Sequence, residues 1–80
     1  MVRDIDGIEI KVGDKVYWND PGLFDLETME DRREAWLTLW NVDEVSEEMV
    51  CISNDYSEAE VFPTELEVAI IPRKEEDYEE

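Results

Sequence analysis

Apolar and polar positions alternate with a period of two over much of the chain. Ile8, Ile10 and Val12 alternate with Glu9 and Lys11. Gly13-Asp14 then interrupts the run, and Val16 and Trp18 resume it. This pattern predicts an extended arm, a tight turn and a first strand opening on Lys15. Residues 35–45 give the strongest strand signal, with Trp36, Thr38, Trp40 and Val42 on one face and Leu37, Leu39 and Asn41 on the other. Both faces start apolar, so one of them must meet something beyond a single core layer. Ser46-Glu47-Glu48 turns the chain into a hairpin partner over residues 49–53, with Val50 and Ile52 inward. After Asn54-Asp55, residues 57–62 form a further strand in which Ala59 and Val61 alternate with Glu58 and Glu60. Residues 68–71 are expected to close the set, stopped by Pro72.

Two interruptions carry helical signals. Asn19-Asp20-Pro21-Gly22 is a dense turn, with Asn and Asp for local backbone bonds, Pro for its fixed φ and Gly for φ > 0. It opens an excursion over residues 23–34. Within it, Thr28-Met29-Glu30-Asp31 places acidic groups in a first helical turn, ahead of Arg32 and Arg33, so a short helix or a loop is expected. Pro63-Thr64-Glu65-Leu66 reads as a single helical turn before the last strand. The expected fold is mainly β: a small, SH3-like five-stranded barrel with a long loop or short helix after its first strand. Residues 1–7 are expected to be a flexible arm, residues 8–72 the barrel, and residues 73–80 a disordered acidic tail.

Eighty residues make one small domain, whose core must draw on a few large side chains among three Trp, three Tyr and two Phe. Cys51 is the single cysteine and forms no internal disulfide; between Val50 and Ile52 it is expected to be a buried, quiet strand thiol. The amino terminus lacks a signal-peptide core, and no apolar run reaches the ~18 residues of a membrane span, which points to a cytoplasmic chain without membrane association. Charge changes the picture most. There are 24 acidic residues against 7 basic ones, a formal net of −17. Residues 73–80 hold two basic and five acidic residues, a net of −3, so −14 lies on the rest; no Lys or Arg falls between Arg33 and Arg73. Such a chain repels phosphate backbones and anionic lipid and attracts basic proteins. Direct nucleic-acid binding is disfavoured.

The segment Val12-Gly13-Asp14-Lys15-Val16-Tyr17-Trp18-Asn19-Asp20-Pro21 resembles the opening of a group of small, uncharacterised SH3-like barrel proteins of gut bacteria and their mobile elements. Ser53-Asn54-Asp55-Tyr56-Ser57-Glu58-Ala59-Glu60-Val61-Phe62, followed by Glu65-Leu66, is similar to their second half. The resemblance covers most of residues 8–68 and implies an SH3-like fold without implying an activity. Residues 23–33 depart from the group's pattern, so a function held there does not transfer.

Catalytic chemistry finds little support. The chain has no His, the commonest general base and metal ligand, and Cys51 therefore has no imidazole to pair with. No Gly-rich phosphate loop exists among three scattered glycines. Asn19, Asp20 and Asp25 lack the spacing and bidentate Glu of a calcium loop. No enzyme activity, cofactor or metal is expected. The aromatics are the better lead. Trp18 and one Trp of the 36/40 pair are expected in the core, leaving Tyr17 and Tyr56 partly exposed. The candidate partner-binding residues are Tyr17, Asp20, Trp36, Tyr56, Glu58 and Glu60, as aromatics set beside carboxylates. The function expected is a non-enzymatic acidic interaction module for a basic protein. The alternative is a DNA-mimic inhibitor of a nucleic-acid-binding enzyme, since same-face strand carboxylates stand about 6.6 Å apart, a step comparable to neighbouring phosphates.

Overall fold

The computed structural model describes residues 1–78. Five strands form one antiparallel sheet in the order β4-β3-β2-β1-β5. They are β1 (Lys15–Trp18), β2 (Leu39–Val45), β3 (Val50–Ser53), β4 (Glu58–Val61) and β5 (Leu66–Val68). Register places Val16 opposite both Trp40 and Val68, Val42 opposite Ile52, and Val50 opposite Val61. These residues share one face; with Ile10 and Leu66 all but Val68 make the buried core, and Val68, partly buried, packs against it. Trp40 is in that core and meets Trp18 edge-to-face, ring centroids 5.5 Å apart.

Strict alternation along β2 would turn Glu44 into the core after Val42. The register instead shifts between Val42 and Glu44, so Asp43 is the extra residue of a bulge, and Val45 packs against the core in place of a carboxylate. The β3–β4 turn is tied by Asn54 Oδ1, which accepts hydrogen bonds from the backbone N–H of Tyr56 and Ser57, both at 2.8 Å.

The helical segment is longer than the sequence predicts. The helix α1 spans Met29–Leu37, so the strand expected over residues 35–45 begins at Leu39 and Trp36 belongs to the helix. Local chemistry decides this: Thr28 Oγ1 caps the first turn by accepting from Asp31 N at 3.0 Å, and Glu30 and Asp31 face the positive helix end. At the other end, the Thr38 hydroxyl donates to Glu34 O at 2.7 Å. A 3-10 turn over Pro21–Asp25 precedes α1, with Asp20 Oδ1 accepting from Gly22 N at 2.8 Å. A second 3-10 turn, Pro63–Glu65, stands where the single helical turn was expected.

The amino-terminal residues, expected to be flexible, are hydrogen-bonded into the fold. Gly7, at φ 82°, turns a short antiparallel pairing in which Ile10 N donates to Val2 O at 2.9 Å and Asp4 N to Ile8 O at 2.8 Å. Asp4, 4% exposed, accepts three backbone N–H groups: Asp6 at 2.9 Å, Ile8 at 2.8 Å and Val68 at 2.8 Å. Ile5 N donates to Leu66 O at 3.0 Å, so the arm lies along the outer edge of β5. This bears on the expected barrel. With that edge occupied and β5 only three residues long, β5 and β4 remain unpaired with each other and the sheet is open. The closing strand is also displaced: it is Leu66–Val68, while Ile70 and Ile71, expected within it, are exposed.

Candidate functional site

The outer face of the sheet is where its unusual chemistry gathers. Tyr17 projects to this face between Val16 and Trp18, opposite Leu39 on β2 and Glu67 on β5. The last turn of α1 brings Trp36 to the same place. Between the end of β5 and the tail, the exposed run Ile70-Ile71-Pro72 carries the chain back to this face, where Arg73 enters.

The Arg73 side chain is 7% exposed. Its guanidinium carbon lies 4.7 Å from the Tyr17 ring centroid and 4.6 Å from that of Trp36. Nη1 donates to Trp36 O at 2.9 Å; Nη2 donates to Asn19 Oδ1 at 2.6 Å and to Glu67 Oε2 at 2.8 Å. Asn19 is held in turn by its own N–H, which donates to Glu65 O at 2.7 Å. The Arg73 backbone N–H donates to the Tyr17 hydroxyl at 3.1 Å. Two aromatic rings, one carboxylate and two neutral acceptors thus form a cage that matches a flat, multi-donor cation.

The tail beyond Arg73 follows the same face. Glu75–Asp77 makes a 3-10 turn, Glu75 pairs with Arg33 of α1 at 3.3 Å, and Tyr78 lies against Trp36 with ring centroids 5.4 Å apart. Residues 73–78, expected to be disordered, therefore have a definite course; Glu79 and Glu80 lie outside the described residues. Asn19, Asp20, Pro21, Leu23, Trp36, Asp77 and Tyr78 line a cleft of about 410 Å³ beside the cage.

The six sequence-predicted site residues divide. Tyr17, Trp36 and Asp20 meet at the cage and its cleft. Tyr17, expected to be partly exposed, is 4% exposed, because α1 and the tail form a second layer over the outer face. Tyr56 sits at the β3–β4 turn, 94% exposed. Glu58 and Glu60 lie on the outer face of β4, three strand spacings or about 14 Å from β1. They line a separate shallow depression with Asp43 and Cys51. Asn19, Glu67, Arg73 and Tyr78 were not among the predicted residues. Arg73-Lys74 was visible only as an isolated basic pair in an acidic stretch.

Cys51 faces this acidic depression rather than the core, opposite Glu60 and half-buried, which corrects the expectation of full burial. Partial desolvation holds its thiol above the ordinary range, reinforced by the carboxylates of Glu44, Glu60, Asp43 and Glu58. Among the described residues no three Asp, Glu or Cys side chains converge as metal ligands, and no helix is long and apolar enough to cross a membrane. No protein-family model, curated protein or solved structure matches the chain.

Proposed function

We propose that the protein is a non-enzymatic interaction module that binds a basic segment of a protein partner at the Tyr17–Trp36 cage. One observation carries this reading: the cage holds a cation, the guanidinium of Arg73, on two ring faces and the Glu67 carboxylate. The net charge of −17 supplies the long-range attraction that steers a basic chain toward it. The scaffold is an opened relative of the SH3-like barrel. Support for that comes from the four-strand meander β1–β4, the return of the last strand to the first and the 3-10 turn before it. Calorimetric titration with a basic peptide, wild type against Trp36→Ala, tests the reading. Binding that weakens with salt and is lost in the variant supports it; equal binding by both proteins refutes the cage as the site.

A second reading, inhibition of a nucleic-acid-binding enzyme by phosphate mimicry, draws on Asp43, Glu44, Glu58 and Glu60. These carboxylates surround Cys51 on the outer face of β2–β4. Binding lost in a Glu58→Gln, Glu60→Gln double variant and retained in Trp36→Ala favours it.

A further inference from the structure

Arg73 is not part of the hydrophobic core, and nothing in the main sheet is threaded through it. It arrives from outside, on a segment whose preceding residues Ile70, Ile71 and Pro72 are exposed. The walls of its cage belong to the folded body: Tyr17 on β1, Asn19 just after it, Trp36 on α1 and Glu67 on β5. The rest of the tail is held less completely. Glu75 is largely exposed in its pair with Arg33, and the Tyr78 hydroxyl and Arg33 Nε are buried without a hydrogen-bond partner among the described residues. The arrangement is that of a receptor occupied by a tethered ligand.

We infer that residues 73–78 are an internal pseudo-ligand, and that a partner's arginine enters the cage by displacing Arg73. This rests on the function proposed above and adds the identity of the recognised side chain and the competitor that controls access. Arginine is favoured over lysine by the geometry. Three acceptors, Trp36 O, Asn19 Oδ1 and Glu67 Oε2, are read by two nitrogens of one planar group while its carbon lies over two rings. An ammonium on a flexible stem presents neither the flat face nor the fork. Lys74, the adjacent cation, stays exposed outside the cage. The tether matters because a short linker presents Arg73 at an effective concentration on the order of millimolar. An outside arginine must exceed that competition, so only a segment with further contacts displaces the tail. The 410 Å³ cleft next to Trp36, with Leu23 and Pro21 in its wall, is where such contacts form.

The test uses the full 80-residue chain and two probes, the blocked peptide acetyl-Gly-Arg-Gly-amide and its lysine counterpart, followed through the Trp36 indole and Tyr17 ring NMR signals. A tail closed nine-tenths of the time weakens apparent affinity about tenfold. Arg73→Ala is therefore expected to bind the arginine peptide at least ~10-fold more tightly than wild type. It is also expected to prefer that peptide to the lysine one. Should Arg73→Ala not fold, Arg73→Lys gives the same comparison, with a smaller gain expected and no gain overturning the inference. If wild type and variant bind equally with shifts at Trp36, the pseudo-ligand is refuted while the proposed function survives. Shifts at Glu58 and Glu60 instead of Trp36 refute the cage as the site, and both fall. If neither protein binds either peptide, both the inference and the proposed function fall.

Discussion

Replacing Arg73 by alanine removes the cage's occupant without touching the core, and the structure allows its cost to be worked through. Two ring contacts are worth about 0.5–2 kcal/mol each. The hydrogen bonds to Asn19 Oδ1 and Trp36 O add about 1 kcal/mol each. Glu67 is partly exposed, so its ion pair is discounted for solvent screening to about 0.5–1 kcal/mol. Against a gross sum of about 3.5–7 kcal/mol stand about 2 kcal/mol of arginine rotamer entropy and the cost of desolvating the cation. The net contribution is about 2 kcal/mol. For a domain of this size each kcal/mol moves the midpoint by roughly 4–8 °C, so Arg73→Ala should lower Tm by about 8–16 °C. Circular dichroism melts at low and high salt measure it. Most of the loss should persist at high salt, because the ring contacts and neutral acceptors are screened little. An unchanged Tm would show that the clasp contributes nothing in solution and would refute this reasoning.

Three further outcomes follow from particular residues. Asp4→Ala leaves three backbone N–H groups without their carboxylate and should cost about 3 kcal/mol in a denaturant titration, with Asp4→Asn costing about half as much; a variant as stable as wild type would mean the arm is not docked. Tyr17→Ala should lower Tm markedly whereas Tyr56→Ala should leave it unchanged, since one ring is buried under Arg73 and the other stands free at a turn; equal effects would contradict the placement of the second layer. The raised pKa of Cys51 means the folded chain retains its thiol proton to higher pH than the unfolded chain does. That contribution is fully present below the ordinary thiol pKa and is lost as pH rises through the raised one. Thiol labelling of native protein at neutral pH should be slower than in denaturant, and Cys51→Ala should flatten the alkaline fall in stability; labelling at equal rates would count against it.

Period-two alternation made β3 and β4 legible with nearly correct bounds, because one face of each is apolar and the other polar. The same signal misled at residues 35–37. Ala35, Trp36 and Leu37 continue the apolar texture of β2, yet Ala and Leu are good helix formers, and the Thr28 cap starts a helix that runs on through them. The bulge at Asp43 leaves no mark in composition. The cage was half legible: surplus aromatics pointed to Tyr17 and Trp36, but the second apolar face expected of the 35–45 segment does not exist, since Leu37 belongs to α1 and Leu39 is exposed. Arg73 was not, because periodicity registers apolar burial, and this arginine is buried by ring faces and hydrogen bonds contributed by residues up to 56 positions away. An acidic segment with no apolar repeat reads as solvated chain whether or not one of its side chains is caught.

The central claim is that the Tyr17–Trp36 cage is built for a guanidinium, whichever chain supplies it. Crystals of the Arg73→Ala variant grown with acetyl-arginine-amide test it most directly. Density is expected for the added guanidinium over the Tyr17 and Trp36 rings, bonded to Asn19 and Glu67. A cage left collapsed or filled only by solvent, with the arginine bound elsewhere or absent, would contradict it.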